Sequence, residues 1–217
     1  MSLFNGKDLA GWTTKQLHNH DWSVVDGVID CNPQGEGKGD RELWTTKEYA
    51  DFELWVDWRI KESPYVNKKA RIILPDGSYQ KDESGNVMTV EAPNTDSGVF
   101  LRGQHKSQAN IWCWSVGSGE VWGYRTDAAF DAKVHAGVTP KVKADKAIGD
   151  WNTFHITLKC DRLTVTLSYR DTAGTWHTLT PGYAIDRMGD SLSGVRAALF
   201  THGKGSAAFH SFHYRPL

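Results

Sequence analysis

The stretch that decides the fold class runs Phe52-Glu53-Leu54-Trp55-Val56-Asp57-Trp58-Arg59-Ile60. Apolar and polar side chains alternate along it at a period of two, which is typical of a β-strand with one face in a core. One face carries Phe52, Leu54, Val56, Trp58 and Ile60, and the other carries Glu53, Trp55, Asp57 and Arg59. The pattern predicts a strand whose second face either lines a ligand site or is open to solvent.

Short strand patterns recur on both sides of this stretch, separated by turn residues. Asp26-Gly27 predicts the turn of a hairpin between two apolar runs in Trp22–Asp30. We predict further strands at Val99–Arg102, Asn110–Trp114, Val121–Arg125, Thr153–Leu158 and Leu163–Tyr169, and a last pair formed by Gly194–Thr201 and Ala207–Tyr214. The helix signal is weak and limited to a short segment at Asp127–Ala136.

Two longer stretches interrupt this regular spacing. Ser63–Val90 contains several turn pairs around an apolar Ile72-Ile73-Leu74 and predicts a hairpin excursion. Ala128–Gly149 is rich in Lys and Ala and predicts a long surface loop, of the kind that often forms the wall of a site. The chain therefore predicts an all-β fold, a two-sheet antiparallel sandwich or jelly roll, as a single domain over residues 1–217.

The amino-acid composition limits the classes of binding partner. The 25 Lys and Arg nearly balance the 26 Asp and Glu, giving a net charge of −1, so the basic excess typical of nucleic-acid binders is missing. No apolar run is long enough to span a membrane. Ten tryptophans are unusual for 217 residues, and the indole suits both β-cores and stacking on ligands. The three cysteines form no CxxC pair, and we expect them to be unpaired thiols, mostly buried, with a single disulfide between two of them as the alternative.

Several ordered blocks resemble one known family. They begin with Ser2-Leu3-Phe4-Asn5-Gly6-Lys7-Asp8-Leu9-Ala10-Gly11-Trp12 and Trp22-Ser23-Val24-Val25-Asp26-Gly27-Val28. They continue with Leu43-Trp44-Thr45, Tyr49–Arg59, Asp96–Gly103, Asn110–Trp114, Gly117–Arg125 and Gly149–Phe154. In these blocks the chain resembles the 3-keto-disaccharide hydrolase domain family.

The resemblance implies a concanavalin A-like jelly roll that acts on an oligosaccharide or glycoside. It implies cleavage of glycosides already oxidised to a ketone at sugar C3. The route would be removal of the C2 proton, elimination of the C1 substituent and, for a hydrolase, addition of water. It also implies a bacterial protein of glycan breakdown in the periplasm or outside the cell, although the sequence given shows no signal peptide.

The candidate catalytic residues are Arg102, Glu120, Asp57 and His105. Arg102 offers a fork of donors to an enolate oxygen or a carboxylate, and its choice also rests on the resemblance. Glu120 follows a glycine that lets a ligand approach, and its carboxyl suits proton transfer. His105 is a natural proton carrier near neutral pH. The structural alternatives are an ion pair of Arg102 with Asp57 or Asp96, a turn position for Glu120 and a surface pair for Asp57.

The candidate substrate-binding residues surround these positions: Trp112, Asn110, Trp122, Tyr124, Arg125, Asp96 and His202. Trp112 and Trp122 are expected to stack on a sugar ring, with core filling as the alternative. If three consecutive strands pair as neighbours, Arg102, Trp112 and Glu120 converge on one cleft.

The sequence indicates no cofactor and no metal motif, although calcium on loop carboxylates stays open. No HExxH, P-loop, GxSxG or dinucleotide fingerprint occurs. Three function classes remain: an enzyme acting on 3-keto-glycosides, a carbohydrate-binding module of the same fold without catalysis, and a protein-interaction domain. The first is favoured because titratable groups cluster near Trp112–Arg125.

Overall fold

A computed structural model describes residues 1–14, 21–31, 40–170, 175–178, 183–185, 198–202 and 206–217. Its first nine strands are β1 (Trp12–Thr14), β2 (Trp22–Val25), β3 (Val28–Cys31), β4 (Asp40–Thr45), β5 (Phe52–Glu62), β6 (Val66–Arg71), β7 (Thr89–Pro93), β8 (Asp96–Leu101) and β9 (Gln104–Trp112). Two short helices follow, α1 (Trp122–Arg125) and α2 (Ala132–Gly137). The remaining strands are β10 (Asn152–Lys159), β11 (Arg162–Arg170), β12 (Trp176–Thr178), β13 (Tyr183–Ile185), β14 (Ala198–His202) and β15 (Ser206–Pro216).

The strands form two large antiparallel sheets and one small one. The front sheet has the order β1-β4-β14-β8-β9. The back sheet has the order β12-β11-β10-β5-β15-β3-β2, with β13 also paired to β11. Strands β6 and β7 form a separate ribbon, as the hairpin excursion at Ser63–Val90 predicts. The all-β jelly-roll prediction is confirmed.

The core lies between the two sheets. Strand β5 contributes the predicted apolar face, and Phe52, Leu54, Val56, Trp58 and Ile60 are all at most 6% exposed. Alternate residues of the front sheet meet them in the same cluster, among them Leu43, Val99, Leu101, Ala109 and Ile111. Because the period of a strand is two, the residues between these point to the outer face of the front sheet.

Two local predictions are wrong. Strands β14 and β15 do not pair as a hairpin, because β14 inserts between β4 and β8 while β15 inserts between β5 and β3. Residues 194–197 of the predicted strand lie outside the described residues. The third strand expected at Val121–Arg125 is instead the α1 turn, which the backbone N–H groups of Tyr124 and Arg125 close onto the Val121 carbonyl.

The long segment predicted as a surface loop contains the short helix that the sequence indicates at Asp127–Ala136, with its bounds shifted to Ala132–Gly137. Residues 128–149 contain α2, which begins with the Asp131 carboxylate accepting the Val134 N–H. Val138 and Thr139 after it are fully buried, and the Val138 carbonyl accepts the Val121 N–H. The segment therefore forms a wall packed against the end of strand β9.

All three cysteines lie in the described part, and none forms a disulfide. Cys31 is buried, Cys113 is half-buried and Cys160 is exposed. Within the described residues, no helix is long and apolar enough to cross a membrane.

Candidate functional site

The outer face of the front sheet carries a cavity of about 420 Å³. Strands β8 and β9 supply its floor, because Val99, Leu101, Ala109 and Ile111 face the core and the alternate residues face outward. The outward side chains that line the cavity are Asp96, Phe100, Gln108, Asn110 and Trp112. His105, Trp114 and Trp122 complete the lining. The cavity therefore combines aromatic walls with a few polar groups, as ligand sites in proteins generally do.

A histidine–carboxylate pair is the most reactive arrangement in this region. His105 Nε2 lies 2.9 Å from Glu42 Oε1. The His105 side chain is 61% exposed, whereas that of Glu42 is 3% exposed. The second carboxylate oxygen of Glu42 accepts the indole N–H of Trp44 at 2.9 Å. Glu42 is thus a fixed acceptor beneath an imidazole that a ligand in the cavity can reach.

A stack of rings holds this histidine in place. The His105 ring lies on Phe100, with centroids 4.6 Å apart and planes 20° from parallel. Phe100 in turn stacks on Trp44 at 6.0 Å and 20°. Strand β4 thus supplies both the carboxylate and the outermost ring, so the imidazole plane is set by two independent constraints.

Two amide side chains continue the polar floor. Gln108 Nε2 donates to Asn110 Oδ1 at 2.5 Å, and both residues are at most 5% exposed. Gly119 and Glu120 hydrogen-bond to the edge of strand β9 at Asn110: the Asn110 N–H donates to the Glu120 carbonyl and the Gly119 N–H to the Asn110 carbonyl, each at 2.8 Å. The Asn110 amide is therefore held by backbone on one side and by Gln108 on the other.

The aromatic wall is built on Trp112. Its ring stacks on Trp114 with centroids 4.5 Å apart and planes 17° from parallel, and its N–H donates to the Gly117 carbonyl at 2.8 Å. Ile73 from the excursion between β6 and β7 packs against Trp112. Trp122 is 46% exposed at the edge of the cavity. The Trp112 ring is consequently fixed in the wall of the cavity, and the Trp122 ring is accessible at its edge.

The structure brings together five of the residues that the sequence nominates: His105, Asp96, Asn110, Trp112 and Trp122. His202 lies opposite Asp96 in the register of strand β14, but its side chain is outside the described residues. The sequence analysis missed Glu42, Phe100 and Gln108 as site residues. In β4 the apolar Leu43 alternates with Glu42 and Trp44, and this period of two could have indicated that Glu42 faces outward.

Arg102 does not line the cavity. It forms the turn between β8 and β9, with a φ of 52° followed by Gly103 at 65°. Its guanidinium is 3.2 Å from Asp51 Oδ1 and the side chain is 7% exposed. The predicted cleft shared by Arg102 and Glu120 is therefore not formed: Arg102 is at the turn end of β8, and Glu120 flanks Asn110 near the middle of β9.

Glu120 and Arg125 form a buried ion pair with side-chain exposures of 0% and 3%. Neither lines the cavity: Arg125 ends α1, and Glu120 lies before that helix in the segment bonded to β9. Arg125 also lies over the ring of Tyr79, 5.2 Å from its centroid. Burial by itself would raise the pKa of the Tyr79 phenol, but hydrogen bonds from Arg125 and Arg71 outweigh burial and lower that pKa. The pair thus ties α1 to the excursion that packs on Trp112.

Tyr124 and Asp57 also lie away from the cavity. Tyr124 is buried, its pKa is raised by that burial, and its ring packs on Phe130. Asp57 lies on the outer face of the back sheet, where it accepts the Thr153 hydroxyl at 2.5 Å. The charged face of β5 is therefore turned away from the front sheet. No group of three or more His, Cys, Asp or Glu suited to a metal occurs in the part of the chain that is described.

Solved structures show where this fold occurs. A candidate glycosyl hydrolase from Parabacteroides distasonis has a TM-score of 0.54 at 16% identity, covering 99% of this chain and 92% of its own. A second from the same organism has a TM-score of 0.51 at 17% identity, covering 100% and 98%. The carbohydrate-binding module CBM66 of Bacillus subtilis has a TM-score of 0.48 at 13% identity, covering 94% and 95%.

No curated protein sequence matches the chain. The family described as the 3-keto-alpha-glucoside-1,2-lyase-like domain matches residues 1–183. The match includes strands β1 to β12 and every residue that lines the cavity. A carbohydrate-related role agrees with the aromatic and amide lining. The chain belongs to the 3-keto-alpha-glucoside-1,2-lyase-like domain family.

Proposed function

We propose that this protein cleaves 3-keto-glycosides in the cavity on the front sheet, with His105 removing the proton at sugar C2. The observation that carries the proposal is the 2.9 Å contact between His105 Nε2 and Glu42 Oε1 beside a sugar-sized cavity. A base oriented by a buried carboxylate is an arrangement well suited to general base catalysis.

The contact selects the reactive nitrogen. Glu42 accepts the Nε2–H of a neutral imidazole, so the lone pair resides on Nδ1. Nδ1 is then the atom that takes a proton from the substrate. The carboxylate stabilises the imidazolium that forms, because it lies against the nitrogen that carries the other proton.

The ketone at C3 makes this proton transfer feasible. Removal of the C2 proton moves negative charge onto the C3 oxygen, which needs a donor in the cavity. The Asn110 amide N–H₂ can supply it, since Asn110 Oδ1 is already occupied by Gln108. In the second step the C1–O bond breaks as the C1–C2 double bond forms, and the departing oxygen takes the proton that the His105 imidazolium received in the first step.

The product of elimination is an unsaturated 3-keto sugar, and no electron is gained or lost. Addition of water across the C1–C2 bond would complete a hydrolysis. Trp112 and Trp122 supply the flat apolar surfaces on which a pyranose ring can lie. This chemistry differs from that of glycosidases, in which two carboxylates flank the bond and positive charge develops on the ring.

The test compares the wild type with two histidine variants on a 3-keto-disaccharide and on its C2-deuterated form. His105→Gln should lower kcat at least a hundredfold, and the wild type should show a primary isotope effect. The matched control is His155→Gln, because His155 has a similar setting on the back sheet. Its ring stacks on Trp55 with centroids 4.5 Å apart, and its Nε2 lies 3.6 Å from Glu53 Oε1.

Full activity of the His105→Gln variant would overturn the assignment of the base. Saturable binding of the keto-disaccharide without turnover by the wild type would instead establish the binding-module alternative, for which the aromatic and amide lining suffices.

A further inference from the structure

A second cavity, of about 290 Å³, lies between the core side of β5 and the segment 143–148 that precedes β10. Trp58 and Ile60 of β5 and Trp112 of β9 form part of its walls, and all three are at most 6% exposed. Trp112 is the one residue that this lining shares with the cavity on the front sheet. The second cavity is therefore a space of its own.

The buried walls of this cavity are mainly apolar. Pro93, Ala147 and Ile148 join the three buried side chains in the lining. A cavity of about 150 Å³ holds benzene in another protein, so this space is large enough for one ring with a substituent. Sugar hydroxyls placed against these walls would lose their hydrogen bonds to water without replacement, which is costly. The walls therefore suit a ligand with an apolar body.

The open side of the cavity carries positive charge. Lys143 and Lys146 belong to the lining, and both residues are exposed. Neither ammonium group forms an ion pair or a hydrogen bond with any residue that the structure describes. Ile148, in the same segment, is 47% exposed and completes this open side. The cavity thus combines an apolar interior with two lysines at its entrance.

The one carboxylate in the lining, Asp145, does not cancel this positive charge. Both of its oxygens accept the Ser118 N–H, at 3.1 and 3.0 Å. The Cys113 thiol in the same lining shows which charge has the larger effect. Burial raises the pKa of this thiol, and of the two charges that act on it, Lys143 lowers the pKa by more than Asp145 raises it. The two charges together therefore give a positive potential at Cys113, which favours an anion.

We propose that the second cavity binds a small carboxylate with a ring-sized apolar body, such as benzoate. The ring lies between the apolar walls, and the carboxylate lies at the open side beside Lys143 and Lys146. Burial of the ring supplies most of the binding free energy, and the exposed lysines add a smaller, charge-dependent part. The site goes beyond the proposed function, because its ligand needs neither a ketone nor the His105–Glu42 pair.

Titration calorimetry at low ionic strength tests the chemical class of the ligand. Benzoate should bind at least tenfold more tightly than benzamide, which has nearly the same shape and no charge. This difference should shrink as salt is added, because exposed charges are screened. Glucuronate keeps the carboxylate but has a polar ring, and it should bind at least tenfold more weakly than benzoate.

The Cys113 thiol reports where the ligand binds. Cys31 is buried and Cys160 is exposed, so a Cys160→Ser variant leaves the half-buried Cys113 as the more accessible thiol. Saturating benzoate should slow alkylation of Cys113 by iodoacetamide at least fivefold, as followed by peptide mass spectrometry. Half of the protection should be reached at the Kd that calorimetry gives.

Lysine variants separate the charge from the apolar contact. Lys143→Gln and Lys146→Gln should each weaken benzoate binding at least threefold and leave benzamide binding unchanged. Lys133→Gln is the matched control, because it removes the same charge from an exposed position outside the lining. It should change neither affinity.

A second pair of variants tests the apolar wall. Ile148→Asn should weaken benzoate and benzamide alike, because both ligands place a ring against this side chain. Val142 in the same segment is 53% exposed and is not part of the lining, so Val142→Asn should weaken neither.

Four results would overturn the proposal. They are the absence of saturable benzoate binding, binding that leaves Cys113 unprotected, equal or tighter binding of benzamide or glucuronate, and equal weakening by Lys133→Gln and Lys143→Gln. Because binding is measured without turnover, these results are independent of those on 3-keto-glycosides.

Discussion

His105 on β9 and Glu42 on β4 are in contact, although their strands are not neighbours in the front sheet. Strands β14 and β8 lie between them. Glu42 is a positioning residue in our proposal, because it acts through His105. Glu42→Gln keeps the shape but weakens the orientation and charge that favour the imidazolium. We expect kcat to fall about a hundredfold with KM within twofold, which steady-state kinetics will measure.

A double variant tests whether the two residues act as a unit. If they do, Glu42→Gln combined with His105→Gln should be little worse than His105→Gln alone, because effects within a catalytic unit are not additive. Glu42→Asp should restore part of the rate. Multiplicative losses in the double variant would show that Glu42 only supports the fold.

Trp122 provides the accessible edge of the cavity, and we expect it to act in binding alone. An aromatic stacking contact contributes about 0.5–1.5 kcal/mol, so Trp122→Ala should raise KM about three- to tenfold and leave kcat nearly unchanged. The side chain is 46% exposed, so Tm should hardly move. Titration calorimetry with the product sugar provides the measurement, and an unchanged dissociation constant would remove Trp122 from the site.

Arg102 stabilises the β8–β9 turn in this structure, which leads to an expectation about stability. Arg102→Ala removes the contact with Asp51 and places alanine at a positive φ. We expect a loss of about 2 kcal/mol in the free energy of unfolding, with kcat and KM of the folded enzyme unchanged. Arg102→Asn is the control for the turn, because Asn-Gly is favoured in such two-residue hairpins. If Arg102→Ala loses most of its turnover but keeps the stability of the wild type, Arg102 takes part in the site.

The sequence predicted what depends on local periodicity. The alternation of Phe52–Ile60 specified a buried face, and Asp26-Gly27 specified a hairpin, because both signals lie within a few residues. It did not predict that β14 and β15 join different sheets, since proximity along the chain favours a hairpin and only packing of the whole sandwich opposes it. The error at Trp122–Arg125 has a similar cause: four residues carry too little periodicity to separate a helical turn from a strand.

The candidate site was predictable in part for the same reason. Asn110 and Trp112 lie on one predicted strand, so their convergence followed from order along the chain, whereas the strand begins earlier than predicted and also includes His105. Glu42 reaches His105 only through the sheet order, which no short-range pattern encodes. Arg102 and Glu120 have the right chemistry, but ion pairs with Asp51 and Arg125 hold them away from the cavity, and residue type alone could not reveal those partners.

The pH dependence of stability should depend on His155. Burial lowers the pKa of His155 below its usual 6.5, against the opposing effect of Glu53. Below about pH 6.5 the unfolded chain therefore binds a proton that the folded protein does not, so the free energy of unfolding falls as the pH falls towards the folded-state pKa. His155→Gln should flatten this part of the curve of Tm against pH. His210→Gln, at a position whose side chain is 55% exposed on the same face, should leave the curve unchanged; equal flattening by both variants would contradict the assignment.

The buried ion pair of Glu120 and Arg125 should contribute to the stability of the fold and not directly to catalysis. Glu120→Gln leaves the Arg125 guanidinium buried without its counter-charge, which typically costs about 3–5 kcal/mol. For a chain of this size that loss corresponds to a fall in Tm of about 10 °C, and calorimetry will measure it. The exposed pair of Lys106 and Asp127 gives the matched control, and Asp127→Asn should change Tm little.

Replacing both buried partners with apolar residues, Glu120→Leu with Arg125→Met, should recover most of the loss, because no unpaired charge remains. If Glu120→Gln instead folds with an unchanged Tm and loses turnover, Glu120 takes part in the reaction and the site extends beyond the cavity on the front sheet.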